Sequence, residues 1–109
     1  MAKKSSKKIL HSPAETTLDL IGNKWTILVI EELFHGTRRF GEIEKGLVGI
    51  SPRTLSLRLA TLEKAGVIAR EVFPEVPPRV EYRLTPLGRS LEGVITVIKD
   101  WGTKFEKQS

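Results

Sequence analysis

Four residues that follow Ser51 combine hydrogen-bond donors with one apolar side chain: Arg53, Thr54, Ser56 and Leu57. The guanidinium of Arg53 can donate two hydrogen bonds to the edge of a guanine, because its donors are fixed in a planar fork. Thr54 and Ser56 are short enough to allow close approach to a base, and Leu57 can contact the methyl group of a thymine. The chemistry of this segment therefore fits the reading of bases in the major groove of DNA.

These side chains lie on a predicted helix that Ser51 caps and in which Pro52 takes the first position. The unpaired N–H groups of its first turn also attract phosphate. At 100° per residue, one face of this helix carries Leu55, Leu59 and Leu62. The side opposite holds Arg53, Leu57, Ala60, Thr61 and Lys64, with Thr54 and Arg58 on one flank. A solvated face of an ordinary amphipathic helix has the same pattern, so the helix alone leaves both readings open.

Other basic residues fall where a DNA-bound helix would need them. Arg38 and Arg39 directly precede the helix predicted around Phe40 to Leu47, which comes before the helix capped by Ser51. Residues 38–58 carry five basic side chains against two acidic ones. Arg79 follows a proline-stiffened tip and is suited to a phosphate or minor-groove contact, although Glu75 beside it would repel phosphate. The predicted DNA-binding residues are Arg38, Arg39, Ser51, Arg53, Thr54, Ser56, Leu57, Arg58, Thr61, Pro78 and Arg79.

Periodicity predicts the elements that position these residues. Helices are expected from Ser12 to Gly22, from Asn23 to Gly36, around Phe40 to Leu47, and from Ser51 to Gly66. Residues 67–73 and 79–84 read as the two strands of a hairpin, because the second alternates apolar and charged side chains. Thr85 and Pro86 then begin one long final helix. Three helices followed by a hairpin indicate a winged helix-turn-helix, mainly α with a small β-hairpin.

The chain has 109 residues, which fits one domain. Residues 1–10 hold four lysines and too little apolar surface to pack, so we expect a disordered basic tail before a domain at 11–109. Without these lysines the net charge falls from +5 to 14 minus 13, or +1. Bulk charge is therefore weak support for a nucleic-acid partner, and the placement of the charges carries the argument.

The last helix has more apolar surface than a domain of this size can cover. We therefore expect a homodimer, and packing onto its own domain is the alternative. The predicted dimer-interface residues are Leu87, Leu91, Val94, Ile95, Ile98, Trp101 and Phe105.

Several functional classes find no support in the sequence. There is no cysteine, only two histidines, no metal-ligand spacing and no nucleophile with an adjacent base, so neither an enzyme nor a cofactor or metal site is expected. No apolar run is long enough to span a membrane, and nothing resembles a secretion signal. We expect a cytoplasmic protein associated with the nucleoid.

The sequence resembles the HxlR-type transcription regulators over about residues 11 to 105. Its motifs I-G-x-K-W and P-E-V-P-P-x-V-E-Y are specific to that family when combined. The resemblance rests on the runs 12–15, 18–25, 39–43, 49–55, 72–82 and 84–88.

This resemblance implies a bacterial or archaeal regulator related to the MarR type, which dimerises through its terminal helices and reads a pseudo-palindromic operator on double-stranded DNA. Many members carry a sensor cysteine before the proline that corresponds to Pro13, and here that residue is Ser12. Thiol sensing is therefore excluded, and any inducing signal stays open. Two alternatives are a winged-helix module that binds only proteins, and a regulator with a small-molecule effector pocket lined by Trp25 and Trp101.

Overall fold

A computed structural model describes residues 12–108 of the chain. The expected basic tail at residues 1–10 lies outside them. The described elements follow the order α1 (Pro13–Ile21), α2 (Lys24–Phe34), β1 (Arg38–Arg39), α3 (Phe40–Gly46), α4 (Pro52–Lys64), β2 (Ile68–Phe73), β3 (Arg79–Leu84), α5 (Pro86–Arg89) and α6 (Glu92–Gln108). The fold is mainly α with a small antiparallel sheet, as the sequence predicted.

Side-chain caps set the starts of the main helices where the sequence placed them. The Ser12 hydroxyl accepts a hydrogen bond from the Glu15 backbone at 3.2 Å, and the Glu15 carboxylate accepts one from the Ser12 backbone at 3.0 Å. The side-chain oxygens of Asn23 and Ser51 cap α2 and α4. They accept hydrogen bonds from the backbone nitrogens of Trp25 at 2.8 Å and Thr54 at 3.1 Å, respectively. These bonds pair N–H groups that the first helical turn leaves without a partner.

The core lies between α2, α3, α4 and the base of the sheet. Helix α2 contributes most to its centre, because Val29, Ile30 and Leu33 have no exposed surface. The core is completed by Ile21, Ile43, Leu47, Ile50, Leu55, Leu59, Leu62, Val67, Ile68, Leu84 and Ile95.

The sheet has three strands in the order β1–β3–β2, all antiparallel, and not two. Arg38 and Arg39 lead into α3 as the sequence indicated, but they also form a strand that the sequence did not reveal, paired with Tyr82 and Glu81 of β3. Two residues are too few for an alternating pattern to emerge, so periodicity could not reveal this strand. The strand brings both arginines to the edge of the hairpin.

The predicted single final helix is interrupted, which corrects the sequence analysis. Thr85 caps α5 by accepting from the Gly88 backbone at 3.1 Å, and its hydroxyl donates to the Gly66 carbonyl at 2.6 Å and lies 3.1 Å from the Val67 carbonyl oxygen. A Cβ on Gly88 would clash with the Val67 carbonyl oxygen, so α5 packs against the base of β2 through a glycine. Ser90 and Leu91 form a turn between α5 and α6, in which the Leu91 N–H donates to the Gly88 carbonyl at 3.1 Å, and Ile95 anchors α6 in the core.

Helix α6 also contacts α2 through an ion pair. The Lys99 ammonium lies 3.0 Å from a carboxylate oxygen of Glu31 on α2.

Within residues 12–108, no helix combines the length and the apolar character needed to cross a bilayer.

Candidate nucleic-acid interface

Helices α3 and α4, joined by residues 47–51, form the helix-turn-helix. Gly49 adopts φ +93° in this turn, a conformation that residues with a Cβ rarely adopt. On α4, Leu55, Leu59 and Leu62 are each at most 2% exposed. Their burial fixes which side of α4 faces outward.

The outward side of α4 carries the residues that the helical wheel placed there. Arg53, Ser56, Leu57 and Thr61 are exposed, and Thr54 and Arg58 are half-buried on the flank. Leu57 keeps 56% of its surface exposed although it is apolar. Within residues 12–108, no carboxylate lies within ion-pair distance of Arg53 or Arg58. Both guanidinium groups therefore remain available to an external acceptor.

Three hydroxyl groups of this candidate set already bond within the helix. Ser51 donates to the Thr54 hydroxyl at 2.9 Å while it caps α4, and Thr61 donates to the Leu57 carbonyl at 2.9 Å. Their oxygens can still accept hydrogen bonds, but Ser51 and Thr61 have used their donors. Among the candidate residues on the outward side of α4, Arg53 and Ser56 have side-chain donors that make no hydrogen bond within the described residues.

Arg38 and Arg39 point to different sides of the short strand β1. Arg39 is exposed, and its backbone N–H donates to Glu42 at 2.8 Å, which caps α3. Arg38 is half-buried, and its guanidinium donates to the carbonyl of Thr37 at 3.1 Å. Both lie at the sheet edge beside the helix-turn-helix.

Arg79 is not the free cation that the sequence suggested. Its guanidinium lies 3.0 Å from Glu75 and 3.2 Å from Glu81, and stacks 4.0 Å above the ring of Phe73. The contact with Glu81 is one of charge, since the Nε atom is buried without an aligned hydrogen bond. Glu75 thus neutralises Arg79, whereas the sequence analysis expected it only to repel phosphate. Pro78 is exposed at the tip.

The predicted dimer face divides into an exposed part and a part that packs on its own domain. Ile95 is 2% exposed and belongs to the core, so it is corrected out of this face, and Leu91 packs against the core half-buried. The exposed members are Leu87, Val94, Ile98, Trp101 and Phe105. Trp101 and Phe105 stack with their ring centres 5.2 Å apart. Two further large apolar side chains, Leu18 of α1 and Val97 of α6, are 61% and 67% exposed.

A cleft of about 170 Å³ lies between the end of α2 and α6, and neither Trp25 nor Trp101, the two tryptophans considered for an effector pocket, lines it. Trp25 packs against the core with the Lys24 ammonium 4.6 Å from its ring centre, and Trp101 is 63% exposed. The residues lining the cleft are Glu31, Phe34, His35, Glu92, Ile95, Thr96 and Lys99.

Residues 20–109, which include the helix-turn-helix and the hairpin, match the HxlR-like helix-turn-helix family. The chain belongs to this family. It is 51% identical over 102 residues to the HTH-type transcriptional regulator YdeP of Bacillus subtilis, an alignment that covers 94% of this chain and 80% of the relative.

Solved structures of similar proteins have the same architecture as this HxlR-like chain. The HTH-type transcriptional regulator ytcD superposes with a TM-score of 0.84 at 39% identity, over 89% of this chain and 99% of that one. The redox regulator HypR in its reduced form superposes with a TM-score of 0.81 at 43% identity, over 85% and 92% of the two chains. A further neighbour is described as a member of the MarR family. The winged helix-turn-helix and the MarR-like relationship predicted from the sequence are confirmed.

This HxlR-like protein is a transcription regulator with a helix-turn-helix domain. Its structural neighbour HypR is described as a redox regulator, whereas the present chain contains no cysteine. Ser12, at the position of the sensor cysteine that the family resemblance implies, is engaged in the cap of α1. Among residues 12–108, no group of histidine and acidic side chains is arranged to hold a metal ion.

Proposed function

We propose that this regulator binds double-stranded DNA sequence-specifically as a homodimer, with α4 of each subunit in the major groove. The observation that carries the proposal is the outward side of α4, where Arg53 and Arg58 flank short polar side chains and an exposed leucine and have no carboxylate at ion-pair distance among residues 12–108. An α-helix fits the major groove, and these side-chain types match its donor, acceptor and methyl pattern.

Arg53 is the residue we expect to read a base. It lies in the second position of α4, and recognition helices contact base edges through their N-terminal residues. Arg58 is one and a half turns further along on the flank, where contact with the phosphate backbone is more suitable. Arg39 at the sheet edge would add a further phosphate contact.

The exposed apolar side chains of α5 and α6 support the proposed homodimer. Leu87, Val94, Ile98, Trp101 and Phe105 each keep between 41% and 63% of their surface exposed. Large apolar surfaces of this kind mark protein interfaces, and stacked aromatic side chains supply much of the binding energy of such contacts. A second copy of the chain, related by a two-fold axis, is the partner we propose.

A two-fold dimer presents two α4 helices to the DNA and therefore favours a pseudo-palindromic operator. The two half-sites would be centred about 34 Å apart, one turn of the double helix. Because its target is chromosomal DNA, we place the protein in the cytoplasm at the nucleoid.

Selection of bound duplexes from a random pool tests this proposal. We expect two related half-sites with centres about 10 base pairs apart, and a mass in solution of two chains at micromolar concentration. A selected pool without a shared sequence, or a single half-site with a monomeric protein, would contradict sequence-specific binding by a dimer. Replacing Arg53 in the same selection should relax the preference at one base pair of each half-site.

A further inference from the structure

The two faces of the three-stranded sheet differ in how their arginines are paired. On the outer face, Arg79 is held by Glu75 and Glu81, and Arg83 lies 3.3 Å from Glu71. Every arginine of β3 therefore has a carboxylate partner from the hairpin itself. The hairpin part of the outer face thus offers little uncompensated positive charge to DNA, whereas Arg39 of β1, which lies opposite Glu81 on the same face, is exposed.

The opposite face, which packs on the helices, carries a row of three residues across all three strands. Tyr82 of β3 pairs with Arg38 of β1 on one side and with Arg70 of β2 on the other. Directly paired residues of antiparallel strands project to the same face. Tyr82 packs against the core and separates the two arginines. Within residues 12–108, neither Arg38 nor Arg70 has a carboxylate at ion-pair distance.

This row lies beside the proposed recognition helix. Strand β2 packs against α4, and Ile68 at the base of the strand is buried in the core. Arg70 follows two residues later on the same face and is exposed. It therefore emerges where the hairpin leaves the helical core, next to α4 and on the side of the sheet that faces the helices.

We propose that Arg70, together with Arg38, binds backbone phosphates of the duplex at the border of the groove that α4 enters. This inference rests on the proposed function, since it needs DNA at α4. Neighbouring strands lie about 4.8 Å apart, so the two arginines, two strands apart, start about 10 Å from each other. At that separation each guanidinium contacts a phosphate of its own. The contact positions the sheet on the DNA and carries no base preference.

Salt titration of DNA binding tests the assignment. The logarithm of the association constant falls linearly with the logarithm of salt concentration, with a slope of about −0.9 per phosphate neutralised. We expect Arg70→Gln and Arg38→Gln each to make the slope shallower by about 0.9 and to weaken binding to every duplex. Arg70→Lys should keep the wild-type slope, since a phosphate contact of this kind needs the charge.

Arg83→Gln is the matched control on the other face of the same sheet. It removes an exposed arginine that already has a carboxylate partner, so the slope should stay that of the wild type. Arg70→Gln should melt at the wild-type temperature, because the side chain is exposed and has no carboxylate at ion-pair distance within residues 12–108. A wild-type slope for Arg70→Lys would show independently that substitution at this position leaves the fold intact.

The outcomes separate this inference from the proposed function. If Arg70→Gln retains the wild-type slope while Arg53→Ala weakens operator binding, the phosphate site is wrong and the role of α4 stands. If the wild-type protein ignores every duplex in dilute salt, both proposals fall. An equal loss of slope in Arg70→Gln and Arg83→Gln would also overturn the assignment, because the two faces would then contribute alike.

Discussion

Helix α4 and the hairpin each present an arginine that sequence analysis assigned to DNA, yet the two arginines have different surroundings. Arg53 is exposed and has no carboxylate partner within residues 12–108. Arg79 contacts two carboxylates and an aromatic ring, and only 26% of its side chain is exposed. To bind phosphate, Arg79 would first have to give up these contacts. A basic residue is therefore a binding candidate only when the fold leaves its charge uncompensated.

The difference originates in the two kinds of element. A helix whose buried face is all leucine turns its charged residues outward, where few partners are within reach. In a hairpin, by contrast, each side chain has a neighbour directly across the ladder and two more on its own strand. On the outer face of the hairpin, charged residues of opposite sign therefore pair with one another, as Arg79 does with Glu81 and Arg83 with Glu71.

The largest effect is expected from removing one of the buried leucines that pack α4 onto the core. Leu59→Ala removes a side chain that is 2% exposed and should lower the free energy of unfolding by about 2–5 kcal/mol, through lost burial and a cavity. Chemical denaturation followed by circular dichroism measures this. Leu57→Ala on the outward side of the same helix is the control and should change stability by less than about 0.5 kcal/mol. Equal losses for the two variants would show that the outward side of α4 is assigned wrongly.

The next largest effect is expected at the proposed dimer face. Trp101→Ala removes an exposed aromatic side chain that stacks on Phe105, and it should weaken dimerisation by about 2 kcal/mol or more, roughly 30-fold in the dissociation constant. Sedimentation over a concentration series gives this constant. Lys104→Ala, an exposed charge on the same helix, should leave it unchanged. A Trp101→Ala protein that dimerises like the wild type would remove α6 from the interface.

The smallest effect sharpens the contrast between α4 and the hairpin. Glu75→Gln removes one of the two carboxylates that hold Arg79 and should release part of its charge. Because exposed ion pairs contribute only about 0.2–1 kcal/mol, stability should change within that range. DNA affinity should rise slightly and its salt dependence should steepen, as a further cation becomes available. Unchanged salt dependence would mean that Arg79 lies away from the DNA even when it is released.

Most of the fold and the outward side of α4 could be predicted from the sequence, but the surroundings of the basic side chains could be predicted only in part. Capping residues such as Asn23 and Ser51, and the leucine spacing of α4, are local signals, and they predicted both the helices and the outward side correctly. The third strand escaped notice because Arg38 and Arg39 are too short a run to show a period. The partners of Arg79 and the burial of Ile95 depend on contacts between elements, which spacing along the chain does not encode.

The same limit explains why Arg70 was passed over. In sequence it is one of two adjacent charged residues, Arg70 and Glu71, in an otherwise apolar strand, and nothing local distinguishes it from Arg83. Only the register of the sheet shows that Arg70 shares a face with Arg38 beside α4, while Arg83 shares the other with Glu71. Strand register follows from the tertiary fold, so a single sequence could not assign these two arginines to different faces.

Titration of a selected operator with Arg53→Ala and Arg79→Ala, side by side over a range of salt concentrations, tests the central claim most directly. We predict that Arg53→Ala loses about 1–3 kcal/mol of binding, roughly 5- to 150-fold, and relaxes the preference at one base pair. Arg79→Ala should retain nearly the wild-type affinity and salt dependence, because its charge is already compensated. Wild-type affinity for Arg53→Ala together with a large loss for Arg79→Ala would contradict the account.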